Sequence, residues 1–346
     1  MAKKDIKSFN LSELKDDILA IGEQKFRAEQ IYQWLHEKKV TSFDEMTNLS
    51  VSTREKLEEN YYITTLKIVN KLSSKIDETK KYLFELYDGN CVETVLMKYN
   101  YAWSLCISTQ VGCKMGCTFC ASTLAGFVRN LEPSEMLEEI YAVERDCGEK
   151  VGSLVLMGIG EPLDNYDNVL KFFEILSSPQ GKNLSLRHVS LSTCGVVDKI
   201  YDLMEKKLGV TLSISLHASD NETRSKIMPI NKRYNLGELI PACREYFKVT
   251  GRRITFEYAL IQGVNDSEDY ANRLANLLRG MICHVNLIPV NPVRENSYKR
   301  GSKNSIETFR KTLEERGVNA TVRRELGSDI SAACGQLRLA KVKGEN

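Results

Sequence analysis

Three thiols stand close together in the run Gly112-Cys113-Lys114-Met115-Gly116-Cys117-Thr118-Phe119-Cys120. Their C-x3-C-x2-C spacing within a short loop lets the sulfurs converge on one metal centre, and Gly112 and Gly116 free the backbone to wrap it. A 4Fe-4S cluster held by three protein thiolates keeps one iron without a protein ligand, and an open iron is a place for a substrate. The competing readings are a structural zinc site, which asks for four ligands in paired C-x2-C spacings, and chance. No second such pair follows this tight, asymmetric triplet.

Other residues able to do chemistry are individually ordinary. Gly158-Ile159-Gly160-Glu161-Pro162 could be a turn, Ser192-Thr193 a strand end, Ser215-Leu216-His217 a strand end with a structural histidine, and Asn291-Pro292 a turn. Each falls just after an expected strand, and in a β/α barrel those strand ends share one mouth where active sites are built. Two single thiols add to the set. Cys106 lies in an apolar strand pattern that reads as a buried cysteine, and Cys334 sits in the small-residue stretch Asp329 to Leu337, suited to a mobile loop in which a thiol is accessible. The chain holds 10 cysteines, and Cys91, Cys147, Cys194, Cys243 and Cys283 read as structural.

The elements that must position these residues are regular from about residue 100 onward. Strands are expected at 105–109, 153–157, 188–192, 211–216, 254–260 and 284–289, with helices after Pro133 and near 167–178, 196–207, 236–249, 267–279 and 304–316. Six β-α units with apolar strands predict a parallel sheet covered by helices, curved by right-handed crossovers into an open or partial barrel. Before them, Phe26, Ile31, Trp34 and Leu35 predict one helical face, Met46, Leu49, Val51 and Leu57 continue it, and 68–86 predicts a strand pair turning at Ser73 and Ser74.

A chain of 346 residues with 42% hydrophobic and 27% charged side chains can bury a large core, which excludes disordered and collagen-like classes. The net charge of +2 announces neither nucleic acid nor membrane, but residues 294–346 hold 12 basic against 7 acidic side chains, a net of +5. Lys299-Arg300 and Arg323-Arg324 in that segment read as solvated surface pairs or, if the chain acts on a nucleic acid, as phosphate contacts. The first 90 residues, with 15 basic and 16 acidic side chains, are no electrostatic clamp. Neither a signal peptide nor a membrane-spanning run is visible, so the chain reads as cytoplasmic, where clustered cysteines serve as ligands or catalysts.

These residues carry a family resemblance. The cluster triplet with Phe119 before its last thiol resembles the radical S-adenosylmethionine superfamily. Val92-Glu93-Thr94-Val95, Cys106-Ile107-Ser108, Gly160-Glu161-Pro162-Leu163, Ser215-Leu216-His217 and Ala333-Cys334-Gly335-Gln336-Leu337 resemble its RlmN/Cfr family of RNA methyltransferases, in the RlmN form, over nearly the whole chain. The resemblance implies an α/β fold, a partial (β/α)6 barrel over 96–330, with a small N-terminal accessory domain over 1–95 that either grips RNA or supports the barrel, and a C-terminal loop and tail over 331–346. It implies that Cys113, Cys117 and Cys120 hold a 4Fe-4S cluster, and that Gly160, Glu161, Ser192, Ser215, Leu216, His217 and Asn291 contact S-adenosylmethionine.

It further implies methylation of carbon 2 of an adenosine in 23S rRNA and of the adenosine 3′ to the anticodon in tRNAs, using two S-adenosylmethionine per methylation. In the family scheme Cys334 becomes an S-methylcysteine, a 5′-deoxyadenosyl radical takes hydrogen from that methyl, and Cys106 releases the product by a transient disulfide with Cys334. Glu93 is the proton acceptor in that scheme, and Cys106 as thiolate is the other choice. The implied partners are 23S rRNA, tRNA and a flavodoxin- or ferredoxin-like electron donor, with the enzyme a monomer. The alternatives are a Cfr-type carbon 8 methyltransferase, which shares the same cysteines, a radical enzyme acting on a peptide or metabolite, which has no use for Cys334, and a zinc-containing RNA-binding module.

Overall fold

The computed structural model describes residues 3–290 and 298–330. The chain opens with a helical unit in which β1 (Lys4–Asp5) pairs in parallel with β2 (Tyr61–Tyr62), and α1 (Leu11–Ala20), α2 (Lys25–Gln33) and α3 (Val51–Asn60) lie between them. Asn10 starts α1 with a capping box: its side chain accepts from Glu13 N at 2.8 Å, and the Glu13 carboxylate accepts from Asn10 N at 3.0 Å, satisfying donors that a helix start leaves free. α2 runs into a π-helical turn, Trp34–Lys38, and the two bury Ala28, Ile31, Tyr32, Leu35 and His36. Phe26, expected on that face, is instead 55% exposed. At about 100° per residue it points away from Ile31 and Leu35. Val51, at the first position of α3, is exposed as well, while Met46, Leu49 and Leu57 are buried as expected.

β3 (Lys67–Ser73), β4 (Lys80–Glu85) and β5 (Cys91–Lys98) follow as an antiparallel meander. After β6 (Trp103–Cys106), the two-residue strands β7 (Gln110–Val111) and β8 (Arg129–Asn130) pair and close off the loop that carries the thiol triplet. Strand and helix then alternate: α4 (Pro133–Cys147), β9 (Val151–Leu156), α5 (Tyr166–Ser177), β10 (Val189–Thr193), α6 (Val197–Glu205), β11 (Thr211–Ser215), α7 (Asn221–Ile227), α8 (Leu236–Thr250), β12 (Ile254–Leu260), α9 (Glu268–Leu277), β13 (Cys283–Pro289), α10 (Lys303–Glu315) and β14 (Ala320–Val322). No described helix is long and apolar enough to cross a membrane.

Among the described residues ten strands form one sheet, in the order β14-β13-β12-β11-β10-β9-β6-β5-β4-β3. Pairing is parallel from β6 to β14 and antiparallel from β6 to β3. The six expected strands are all present, and β14 adds a short seventh to the parallel set. The expected division at residue 95 falls inside β5, which pairs with β6 and so joins the meander to the barrel sheet. One hydrophobic cluster runs from Ile6 to Ala320 through both parts.

Alternation along the strands separates two faces. Leu191, Leu212, Ile214, Phe256, Val285 and Leu287 belong to the core cluster under the helices. The alternate positions, Ser192, Ser213, Ser215, Glu257 and Asn286, share the inner face. α4 is buried on all sides from Pro133 to Glu144, because the N-terminal unit covers the face turned away from the sheet. Three of its acidic residues are ion-paired: Lys7 Nζ stands 2.6 Å from Glu138, Lys39 Nζ 2.7 Å from Glu144 and Arg129 Nη1 2.8 Å from Glu135, while the buried Glu139 accepts from Ser108 N at 3.1 Å and from Thr94 Oγ1.

Candidate active site

The inner face of the sheet encloses a cavity of about 370 Å³ lined by Cys106, Cys113, Cys117, Cys120, Gly160, Glu161, Ser192, Ser215 and His217. These residues are dispersed over more than 110 positions of sequence, and the barrel brings them to one wall system. Asn291 and Cys334 lie outside the described residues.

The thiol loop is shaped by backbone demands. Gly112 has a φ of +79°, and a Cβ there would fall 1.7 Å from Gly126 O, so only glycine fits. Thr118 N–H donates to Ile227 O at 3.0 Å, docking the loop on the end of α7, and Cys120 N–H donates to Cys117 O at 3.1 Å. Burial pushes the Cys113 thiol up to about 12, reinforced by Cys120, and pushes Cys117 up as well, reinforced by Cys120 and Cys113. Thiols made costly to ionise by burial and by one another's charge, as Cys113 and Cys117 are, fit a cationic metal-sulfide core that neutralises them together. Among the described residues no three His, Cys, Asp or Glu side chains are grouped to hold a single metal ion. A cluster does not ask for that convergence, since each thiolate takes a different iron.

The opposite wall is built from strand ends. Gly160 has a φ of +114°, and a Cβ would lie 2.7 Å from that of Gln110. Glu161 is a strut: its Oε2 accepts from Cys194 N at 2.7 Å and its Oε1 from Leu163 N at 3.0 Å, while burial pushes its pKa up against those bonds. Ser192 Oγ and Ser215 Oγ are 3.5 Å apart. His217 sits at φ +55°. Its Nδ1 accepts from Ala259 N at 2.9 Å, which places the ring proton on Nε2, and burial lowers its pKa to about 3. His217 is therefore a neutral donor, packed edge-on against Phe119 at 4.9 Å. Leu216 is not among the lining residues. Its side chain is fully buried, and its N–H donates to Glu257 O at 3.0 Å.

Cys106 is buried yet lines the cavity, in a small apolar cluster with Val95 and Met97. Glu93 shares that face of β5 but not the cavity lining: its Oε2 stands 2.9 Å from Lys81 Nζ, and both side chains are almost wholly buried. Of the expected phosphate contacts, Arg300, Arg323 and Arg324 line the cavity and Lys299 does not.

Three lining or supporting residues have no counterpart in the sequence expectations. Cys194, read as structural, lines the cavity, with its thiol pushed well up by burial and by Glu161. Arg224 is fully buried and ties the wall together: Nη2 donates to Cys194 O at 2.7 Å, Nε to Leu216 O at 3.1 Å and Nη1 to Asn231 Oδ1 at 3.1 Å. Glu257 lines the cavity with its Oε2 accepting from Asn286 Nδ2 at 2.7 Å. A charged residue at an inward position of an otherwise apolar strand was the available signal for Glu257; Arg224, in a polar run, offers none.

Comparison with known proteins agrees along the chain. Residues 4–63 match the ribosomal RNA large subunit methyltransferase N-terminal domain, and residues 107–274 match the radical SAM superfamily. A protein from Clostridium novyi (strain NT), named as a probable dual-specificity RNA methyltransferase RlmN, is 52% identical over 97% of this chain and 98% of its own length. One of the same name from Clostridium perfringens (strain SM101 / Type A) is 53% identical over 99% of each. The crystal structure of a radical SAM methyltransferase from Sphaerobacter thermophilus superposes with a TM-score of 0.93 at 42% identity, covering 96% of this chain and 98% of that one.

Proposed function

The chain belongs to the RlmN family of radical S-adenosylmethionine methyltransferases, and from that premise we propose that it methylates carbon 2 of an adenosine in 23S rRNA and of the adenosine 3′ to the anticodon in tRNA. The observation that carries the reading is the single cavity in which Cys106, the thiol triplet and Gly160-Glu161 face Arg300, Arg323 and Arg324. A 4Fe-4S cluster and S-adenosylmethionine, two molecules per methylation, are its cofactors.

In this reading Cys113, Cys117 and Cys120 hold the cluster with one iron open, and Gly160, Glu161, Ser192, Ser215, Leu216, His217 and Asn291 hold S-adenosylmethionine, Leu216 through its neighbourhood and not its buried side chain. When bound, cluster and S-adenosylmethionine together supply radical chemistry, which an electron-poor purine carbon requires because it has no nucleophilic character toward a sulfonium methyl. Cys334 Sγ carries the methyl group. Cys106 Sγ attacks Cys334 Sγ. As the disulfide forms, the bond from Cys334 Sγ to the methylene on the base breaks, and its electron pair stays on that carbon, which takes a proton and becomes the methyl group. Val95 and Met97 pack beside Cys106. Either the Glu93 carboxylate or the Cys106 thiolate takes the proton from the base carbon. The Lys81 contact orients Glu93 toward the face it shares with Cys106. Arg300, Arg323 and Arg324 neutralise phosphates so that the target base is flipped into the cavity.

The remaining parts of the proposal are a helical accessory unit at the N-terminus, a barrel over 96–330 and a catalytic tail over 331–346, working as a cytoplasmic monomer with a flavodoxin- or ferredoxin-like reductant. The test is anaerobically purified protein with and without Cys334→Ala. Iron and sulfide are expected in both, with RNA methylation abolished in the variant. Undiminished methylation by the variant overturns the mechanism, and a zinc-loaded, iron-free protein overturns the reading as a whole.

A further inference from the structure

The large sheet has β3 at one edge and β14 at the other, and a short segment of chain ties the two together. Laid flat, the strand order would hold β4 about 38 Å from β14. Asp329 is seven residues beyond Val322, the last of β14, and seven fully extended residues reach at most about 25 Å. Asp329 nonetheless meets the turn between β3 and β4: its Oδ1 accepts from Ser74 Oγ at 2.7 Å and its Oδ2 from Lys75 N at 2.7 Å. In the same turn Asp77 Oδ2 accepts from Gly327 N at 2.9 Å. The sheet is therefore curled until its edges can be joined, and residues 323–330 form a strap between them.

The turn is organised to hold that strap. Ser74 N donates to Thr79 O at 2.9 Å, and Ser74 Oγ accepts from Ile76 N and Asp77 N at 3.1 Å each, which leaves its own proton for Asp329. Asp77 gives Oδ1 to Thr79 N at 2.8 Å and Oδ2 to the strap. The Lys75 N–H and the Ser74 hydroxyl hold the Asp329 carboxyl below the usual carboxylate range.

The strap passes along the cavity before it reaches the turn. Arg323 N donates to Leu287 O at 2.8 Å, Arg323 to Leu326 line the cavity, and Leu326 packs against the small cluster that contains Cys106. Cys334, outside the described residues, follows Ile330 by four residues, a reach of at most about 14 Å. A thiol on so short a tether has a high effective concentration at the cavity only if the base of the tether is fixed beside it.

We propose that the β3–β4 turn anchors the segment that carries Cys334, with Ser74, Asp77 and Asp329 as positioning residues that present its thiol to the methyl donor and to Cys106. The proposal rests on the assignment of Cys334 as the methyl carrier.

The experiment is a single turnover of Cys334 methylation by S-adenosylmethionine in the cluster-loaded full chain, without RNA or reductant, read by mass spectrometry of the C-terminal peptide. In that step the sulfonium gives its methyl to Cys334 Sγ, S-adenosylhomocysteine is left, and the thiol proton goes to solvent. In the double variant Asp77→Ala with Asp329→Ala the rate is expected to fall about tenfold through lost effective concentration. Iron and sulfide content, far-UV circular dichroism and affinity for S-adenosylhomocysteine are expected to stay native. Asp329→Asn, which keeps one acceptor oxygen, is expected to fall in between and gives the same comparison if the double variant does not fold. Variants that methylate Cys334 at the native rate overturn the proposal. So does a rate that falls only in proportion to cluster content or nucleoside affinity, since the strap would then merely hold the fold. A native protein that is cluster-loaded and binds S-adenosylhomocysteine yet leaves Cys334 unmethylated defeats the assignment of Cys334 itself, and the proposal with it.

Discussion

The interface under the N-terminal helices and the cavity inside the barrel both bury charge, and they treat it in opposite ways. At the interface each buried charge meets an opposite one: Lys7 with Glu138, Lys39 with Glu144, Arg129 with Glu135. Around the cavity, among the described residues, Arg224 meets carbonyls and an amide oxygen, Glu257 meets an amide and the field of Arg323, and burial pushes the Cys113 and Cys117 thiols up. The interface answers its buried charges with ion pairs, while His36 Nε2 beside them has no hydrogen-bond partner among the described residues. The cavity holds its buried charges against neutral groups, and a cleft that gathers titratable groups shifted by burial marks the functional region.

Substitutions that break the comparison rank by expected effect. The largest is replacement of Cys113, Cys117 or Cys120 by alanine, expected to abolish methylation and cluster loading while the interface, and with it far-UV circular dichroism, is kept. A variant with full iron and sulfide content contradicts the assignment of that thiol. Next is Gly112→Ala, whose Cβ collides with Gly126 O. A cost of about 3 kcal/mol or more is expected in denaturant unfolding, with reduced iron incorporation, because the loop between β7 and β8 must shift.

On the interface side, Lys7→Met leaves the Glu138 carboxylate short of its buried partner and is expected to cost about 3 kcal/mol. The double variant Lys7→Met with Glu138→Leu is expected to recover part of that loss, since an apolar pair can replace a buried ion pair while Arg145, which also pairs with Glu138, loses that carboxylate. Cluster content per folded molecule should not change in either variant, and a fall in it would join the two regions energetically. The smallest effect is one the regions share. His36 at the interface and His217 in the cavity are both lowered to about 3 by burial, reinforced by Lys7 and Arg224 respectively. The unfolded chain binds their protons first, so stability is unaffected above pH ~7 and falls as pH drops from ~6.5 toward 3, by about 2 kcal/mol per histidine at pH 5. Equilibrium unfolding of His36→Gln and His217→Gln at pH 7 and pH 5 checks it. An acid sensitivity unchanged in both variants would contradict buried neutral rings.

Much of this was legible before any fold was known. The strand expected at 254–260 is Ile254–Leu260, and the helix expected after Pro133 is Pro133–Cys147, because apolar runs and a proline at the first helical position are local signals. The thiol triplet is equally local. Arg224 is not legible as a site residue, since a charge within a polar run carries no periodicity, and Glu257 offers only its charge at an inward position of an apolar strand. Glu138 pairs with a lysine 131 positions away, which no window of sequence contains. Phe26 faces solvent because its phase along α2 decides its side, and residue 95 lies in a strand whose pairing with β6 makes the sheet continuous, which a change of composition does not reveal.

In the proposed function the cavity, with its cluster and Cys334, methylates adenosine at carbon 2. Its most direct test is anaerobic reconstitution with iron, sulfide, a low-potential reductant, S-adenosylmethionine and fragments of 23S rRNA and tRNA, followed by mass spectrometry of the digested nucleosides. 2-Methyladenosine is expected in both RNAs. Finding 8-methyladenosine without the 2-methyl isomer, or no methylated adenosine from a fully loaded enzyme, would contradict it.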